Sequence, residues 1–284
     1  MNIDFLSHKG LIIRAFLLLA SFLLLYYPII VSLVHDWSID DNYSHGYIVP
    51  FMSLYLVWER RSELLSLKIK PNSSGLLLLI VGLFVMILGH VGAELFLGRL
   101  SILIVLSGIA LFLLGKEYLK ILAFPIGFLI FMIPLPSVIF NSLAFPLQLL
   151  AARVAAGIIY TCGIPVLRDG NIIHLANTTL EVAEACSGIR SLVTIMTLAT
   201  IYAYFMESKR WKQVVLFLSS IPIAIITNSA RVTFTGFLSH YYGDEAAKGF
   251  YHTFEGWFMF VVAFSLLLLF GLLLRKITFG RKVH

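Results

Sequence analysis

The chain is predicted to be an all-α polytopic membrane protein. It should have about eight transmembrane helices, an outer-face interfacial helix, a small β-hairpin-like element and both termini in the cytoplasm. Three observations lead there. Its 284 residues are 60% hydrophobic and only 13% charged, whereas a soluble domain is nearer half apolar and about a quarter charged. The apolar residues gather into runs close to the ~20 residues that one helix needs to cross a hydrocarbon core. The net charge of +6 lies mainly in short loops between those runs, where it sets topology and does not mark a nucleic-acid surface.

Taken in order, the first run covers 11–34; it lacks a cleavage-site pattern and is expected to be retained as a span. The run at 46–58 is short and interrupted by Pro50, so it is read as tilted or partly inserted. Full runs follow at 74–92, 98–115 and 118–135. Segment 139–163 is apolar but holds Pro146, Arg153 and many alanines, and is read as an interfacial helix or a re-entrant piece. Between Val166 and Val182 the pattern is strand-turn-strand, with Asp169-Gly170 as a hairpin-type dipeptide and Asn177-Thr178 as a second turn. Runs at 187–206, 213–237 and 256–274 complete the set. No repeat or linker divides the chain, so 1–284 is read as a single integral domain.

The charges orient this array. With the N-terminus inside, 15 of the 21 basic residues fall in inner segments and six outside, while five acids fall inside and ten outside. The positive-inside rule then makes the face carrying Cys186 extracytoplasmic.

Three polar groups converge on that face. Cys186 sits in Glu184-Ala185-Cys186-Ser187-Gly188-Ile189-Arg190, immediately before an apolar run. An isolated membrane cysteine is usually a buried, inert small hydrophobe, but this one stands at a helix entry. Ser187 supplies an N-capping hydroxyl and Gly188 a flexible neighbour. The unpaired amides and dipole of a helix N-terminus stabilise a thiolate and can donate to an oxyanion. Glu184 works against this by raising the thiol pKa unless Arg190 or Arg231 offsets it.

Arg231 lies late in an apolar span, where an arginine costs about 2.5–3.5 kcal/mol on insertion scales. Snorkelling toward headgroups is its ordinary explanation; stabilising the thiolate or an oxyanion is the functional one. Asn228 is one helical turn earlier on the same face and can orient it. His252, before the last span, is by itself an aromatic-belt residue beside Tyr251 and Trp257. A cysteine nucleophile needs an acid–base partner, and His252 is the natural one. His240 ranks lower because it is placed in a loop, and Cys162 is taken as structural. No metal-ligand spacing is present and no cofactor motif is found.

The chain resembles the exosortase/archaeosortase family, on its bacterial exosortase branch. The resemblance is carried by Asn42-Tyr43-Ser44-His45-Gly46-Tyr47-Ile48-Val49-Pro50, by Phe131-Met132-Ile133-Pro134-Leu135-Pro136, and by Arg168-Asp169-Gly170-Asn171. It continues through Ala185-Cys186-Ser187-Gly188-Ile189-Arg190, Asn228-Ser229-Ala230-Arg231, and His252 ahead of Gly256-Trp257. That family's proposed catalytic set falls on Cys186, Arg231 and His252, and a histidine at the third position favours the bacterial branch.

The resemblance implies a thiol-dependent protease or transpeptidase of the bacterial inner membrane, acting at the periplasmic face. It implies substrates that are secreted, membrane-anchored proteins with a C-terminal tail: a Pro-Glu-Pro-like motif (PEP-CTERM), a transmembrane helix and a basic cluster. It further implies a link to exopolysaccharide systems, a lipid bilayer around the protein, and an acceptor nucleophile that stays open. Tyr43, His45, Arg168, Glu184 and Arg190 are the candidates for contacting substrate. The alternative from another class is a non-enzymatic transporter subunit or a scaffold for surface polysaccharide assembly, for which Cys186 would be dispensable.

Overall fold

A computed structural model describes residues 8–176, 178–182, 188–243 and 250–279; the side chains of 8, 9, 11, 12, 250–255 and 277–279 lie outside that description. Among the described residues, seven helices are long and apolar enough to cross a membrane. One small antiparallel sheet with strand order β1-β2-β3 accompanies them. The protein is a multi-pass, all-α membrane protein. It divides into two compact units, Met1–Pro136 and Ser137–His284.

The first unit holds α1 (His8–Ile39), α2 (Ile48–Glu59), the short α3 (Arg61–Ser66), α4 (Ser74–Val91), α5 (Leu95–Leu113) and α6 (Lys116–Phe128). Two predicted spans fall short of the membrane thickness, as expected for 46–58 but not for 118–135. They become the 12-residue α2 and the 13-residue α6, about 18 and 20 Å long against a core of about 30 Å. Each is prolonged by a 3-10 turn, Asp41–Tyr47 ahead of α2 and Leu129–Met132 behind α6, adding about 14 and 8 Å of path.

Helices α4 and α5 form a tight hairpin whose seam is built from absent side chains. The residues of α4 that are buried are Gly75, Gly82 and Gly89, a seven-residue repeat of small residues that lets backbones approach. A methyl group on Gly89 would stand 2.6 Å from the Gly98 nitrogen. Ile102, Val105 and Ile109 of α5 share one apolar core with Tyr26 of α1, whose hydroxyl is 2.8 Å from Ser101 Oγ.

The second unit holds α7 (Ser137–Thr161), the strands β1 (Val166–Asp169), β2 (Ile172–Leu175) and β3 (Thr179–Glu181), then α8 (Ile189–Met206), α9 (Arg210–Tyr242) and α10 (Phe250–Phe279). The segment predicted as an interfacial helix corresponds to α7, 25 residues long and apolar enough to span. Its alanines favour helix strongly, and Pro146 falls inside the helix without ending it. Ala151 shares a small cavity with Asn228 and Ile159 meets Gly236, so α7 runs parallel to α9.

Two cores stack along α9. One joins α8, α9 and α10 through Ile195, Ala199, Leu216, Ala263 and Leu267. The other joins α7, the sheet and the later turns of α9 through Ala155, Ile159, Ile173, Val182 and Val232.

The predicted strand-turn-strand unit is present and gains a third strand. Asp169 pairs with Ile172, so the β1–β2 loop is Gly170-Asn171. Gly170 has φ +60, while the only positive φ among described non-glycine residues is at Ala93. This is a type II′ arrangement, with glycine at the first central position. The second turn closes through Leu175 N–H donating to Thr178 O at 2.8 Å.

Candidate active site

Each of the three predicted catalytic positions belongs to the second unit. Cys186, Ser187 and Glu184 lie outside the described residues, and His252 is described only as a residue of α10. Gly188, two residues after Cys186, Arg231 itself, and Gly256, four residues after His252, are described, and contacts connect them through Asn228.

Gly188, two residues after Cys186, opens α8 as its N-cap. The predicted cap was Ser187; the cap falls one residue later, and the geometry shows why glycine is needed there. Gly188 has φ +79, a left-handed conformation that residues with a Cβ rarely adopt. Moreover, a Cβ there would come within 2.6 Å of Asn228 Cγ. The helix entry beside the cysteine is therefore pressed against Asn228 on α9.

Asn228 is buried, and about 4.5 Å of helix separates it from Arg231, three residues on. Arg231 Nη1 lies 3.8 Å from where a Cβ on Gly256 of α10 would stand. Gly256 is one turn after His252 on the same helix, and residues four apart share a face. The contacts thus run from Gly188 to Asn228, along α9 to Arg231, and across to the face of α10 that carries His252.

Arg231 also sits at a telling height. It is 21 residues along α9 from Arg210, about 32 Å at 1.5 Å per residue. The hydrocarbon core is about 30 Å thick. The guanidinium is therefore one bilayer thickness from the basic cluster Lys209, Arg210 and Lys212, at the far boundary of the apolar stretch. His240, predicted to lie in a loop, is in α9. It is nine residues from Arg231, which at ~100° per residue puts it on the opposite face of the helix.

Two residues not singled out for the site from the sequence complete the arrangement. Gly256 admits the Arg231 guanidinium. Asn171 holds the strand that leads to the cysteine: its carbonyl accepts from Val182 N–H at 2.9 Å, and its side-chain amide donates to Val182 O at 3.2 Å. Val182 is four residues before Cys186 and is buried in the core under the sheet. The turn was visible in the sequence as Asp169-Gly170 and falls one residue later, at Gly170-Asn171; its reach to Val182 depends on β3, which was not.

The remaining candidates are dispersed. Arg190 is half-buried in the first turn of α8, and its carbonyl accepts from Thr194 Oγ1 at 2.9 Å. Arg168 folds back over its own turn, donating to Gly170 O at 2.7 Å. Tyr43 and His45 belong to the first unit, where they clasp the segment after α6. Leu135 N–H donates to Tyr43 Oη at 3.0 Å, His45 Nε2 is 3.1 Å from Phe131 O, and Trp37 Nε1 donates to Met132 O at 2.9 Å. Gly46 completes the clasp, since any Cβ there would strike the Trp37 indole. Two of the sequence stretches that carry the family resemblance are thus one structural device. Cys162 is exposed just past the end of α7.

No curated protein and no solved structure matches the chain. The profile of the family described as Transmembrane exosortase matches residues 37–269, a stretch that takes in the clasp, the glycine-opened helix entry, Arg231 and His252. The chain belongs to the transmembrane exosortase family, whose members are membrane transpeptidases with a role in protein sorting.

Proposed function

We propose that the protein is a thiol-dependent transpeptidase of the bacterial inner membrane. It removes the C-terminal sorting tail of secreted proteins at the periplasmic face, with Cys186 as nucleophile, Arg231 as oxyanion partner and His252 as acid and base. The observation that carries this reading is the contact path Gly188–Asn228–Arg231–Gly256, which draws together the flanks of all three positions. The two compact units act as one integral domain, because the family match runs unbroken across their boundary.

In this mechanism the substrate tail, a transmembrane helix with a Pro-Glu-Pro-like motif before it and a basic cluster after it, lies beside α8, α9 and α10. The Cys186 thiolate attacks the scissile carbonyl carbon and forms a C–S bond. The oxyanion is held by Arg231 and by amides at the start of α8. Collapse breaks the C–N bond while His252 protonates the departing amine, leaving a thioester. His252 then takes the proton of the incoming nucleophile as it displaces the thiolate. An amine from a cell-surface acceptor gives transfer; water gives release. The link to exopolysaccharide export belongs to this same reading.

The test is co-expression with a tail-bearing substrate, comparing wild type with Cys186→Ala and trapping adducts for mass spectrometry. The expected result is a thioester-linked fragment on the Cys186 peptide of the wild type, with processing abolished in the variant at unchanged protein level. Processing that persists in Cys186→Ala removes the thiol mechanism and moves the chemistry elsewhere, whereas processing by neither protein is the result expected of a non-enzymatic transporter subunit or scaffold.

A further inference from the structure

The first unit contains a cavity that the transpeptidase chemistry does not use. It has a volume of about 410 Å³ and lies between α1 and the end of the α4–α5 hairpin, within the range of small-molecule sites. It is open in part because Gly98 carries no side chain. Gly89 and Gly98 line it, and a Cβ on Gly98 would meet nothing nearer than Ile29 Cδ1, at 3.7 Å.

At its polar end stands Arg99, 2% exposed. Its Nη2 donates to Asp36 Oδ2 at 2.6 Å and to Ser32 Oγ at 3.0 Å. Its Nε is buried without an acceptor. A buried donor left unmatched costs free energy, more so on a charged group. Asp36 already neutralises the charge, so what the site lacks is a hydrogen-bond acceptor. Arg99 is only four residues into α5, about 6 Å along its axis, near the level where headgroups begin.

Two carboxylates border the same place. Asp36 keeps part of its side chain in solvent, and Glu94 lines the cavity while its carboxylate caps Phe96 N–H at 3.2 Å. The order is therefore an apolar wall, a cationic donor, then two acids. We infer that this cavity binds a phospholipid carrying a primary ammonium, of the phosphatidylethanolamine type. One acyl chain lies along Leu25, Ile29 and Met86, the phosphate accepts from the Arg99 guanidinium, and the ammonium donates to Asp36 and Glu94.

The alternatives fit less well. A purely anionic headgroup leaves both carboxylates facing negative charge. A quaternary ammonium offers no N–H to them and is held elsewhere by aromatic cages, whereas no Phe, Tyr or Trp lines this cavity.

The test is native mass spectrometry of the full chain released from nanodiscs of phosphatidylethanolamine with phosphatidylglycerol, and of phosphatidylcholine with phosphatidylglycerol. Wild type should carry one phosphatidylethanolamine and exchange it for neither of the other two lipids. Gly98→Leu, which fills the cavity without touching backbone, should lose it. Arg99→Lys keeps the charge opposite Asp36 but has no Nε–H, and should weaken retention about tenfold or more. Glu94→Gln should narrow the preference over phosphatidylcholine. Thermal unfolding in lipid-free detergent identifies any variant that has simply failed to fold, and Arg99→Lys and Glu94→Gln then carry the test. Equal retention of phosphatidylcholine, unchanged retention in the folded variants, no bound lipid on wild type, or displacement by millimolar inorganic phosphate would each overturn the inference.

Discussion

Among the described residues, two ion pairs have a buried cation, and they are built differently. Lys212 Nζ stands 3.5 Å from Glu207 Oε2, with side chains 3% and 6% exposed. The ammonium also donates to Leu274 O at 2.8 Å, and Gln213 donates to the Glu207 carbonyl at 2.7 Å. The pair ties the α8–α9 turn to the end of α10 and is closed on all sides named. Arg99 and Asp36 are tighter at 2.6 Å, yet Asp36 is 28% exposed and Arg99 opens onto a cavity with one donor unmatched. A buried charge whose partners are all protein atoms is a fastening. A buried charge with a spare donor beside empty space is a binding group, even when it also fastens.

The two pairs should respond unequally when broken. Lys212→Met leaves Glu207 buried without its cation, a loss of about 3–5 kcal/mol. Adding Glu207→Leu should return most of it, because two apolar residues can replace a buried pair. Arg99→Met leaves Asp36 able to keep water, so the loss should be smaller, about 1–2 kcal/mol. Denaturant unfolding in detergent micelles measures both. Losses of equal size would mean that the Arg99 pair is as closed as the other, and would remove the distinction.

Much of this architecture was legible in the sequence, for reasons that differ by element. Long apolar runs declare themselves, and 74–92, 98–115, 187–206 and 213–237 became α4, α5, α8 and α9 with boundaries shifted by a few residues. The shift matters at the end of α9, where five more residues of helix turned the predicted loop around His240 into helix. Short crossings were harder, because hydropathy does not distinguish an α-helix from an α-helix extended by a 3-10 turn. The glycine seam of α4 was missed for a related reason. A seven-residue repeat of Gly75, Gly82 and Gly89 is an absence of side chains, invisible to a search for apolar faces.

At the candidate site, helical spacing put Asn228 and Arg231 on one face from sequence alone. Composition could not reveal that Gly188 lies against Asn228 or Gly256 against Arg231, since both are contacts between helices. Tyr43 and His45 illustrate the converse. Family resemblance marked them as substrate candidates, while their partners, the backbone groups of Phe131 and Leu135, are 86 and 92 residues away and left no pairwise signal.

The smallest expected effect separates the two units by pH. His45 lies outside the spanning helices, and burial pushes its imidazole below the ordinary value, against the opposing pull of the Phe131 and Asn42 carbonyls. The unfolded chain, with an imidazole near ~6.5, binds the proton more readily than the folded one, so stability rises with pH through this window. The contribution is complete above about pH 6.5 and is lost as pH falls through the folded value. Acidification should therefore loosen the clasp around Met132, and His45→Asn should flatten that dependence while lowering stability at alkaline pH. Trp37, bonded to Met132 O, reports on the clasp, and Trp211, beside Lys212, reports on the closed pair, each in a single-tryptophan background. The closed pair has no imidazole among Glu207, Lys212, Gln213 and Leu274, so Trp211 should not follow Trp37 through the acid transition. A shared midpoint would show that one global titration, and not His45, governs both units.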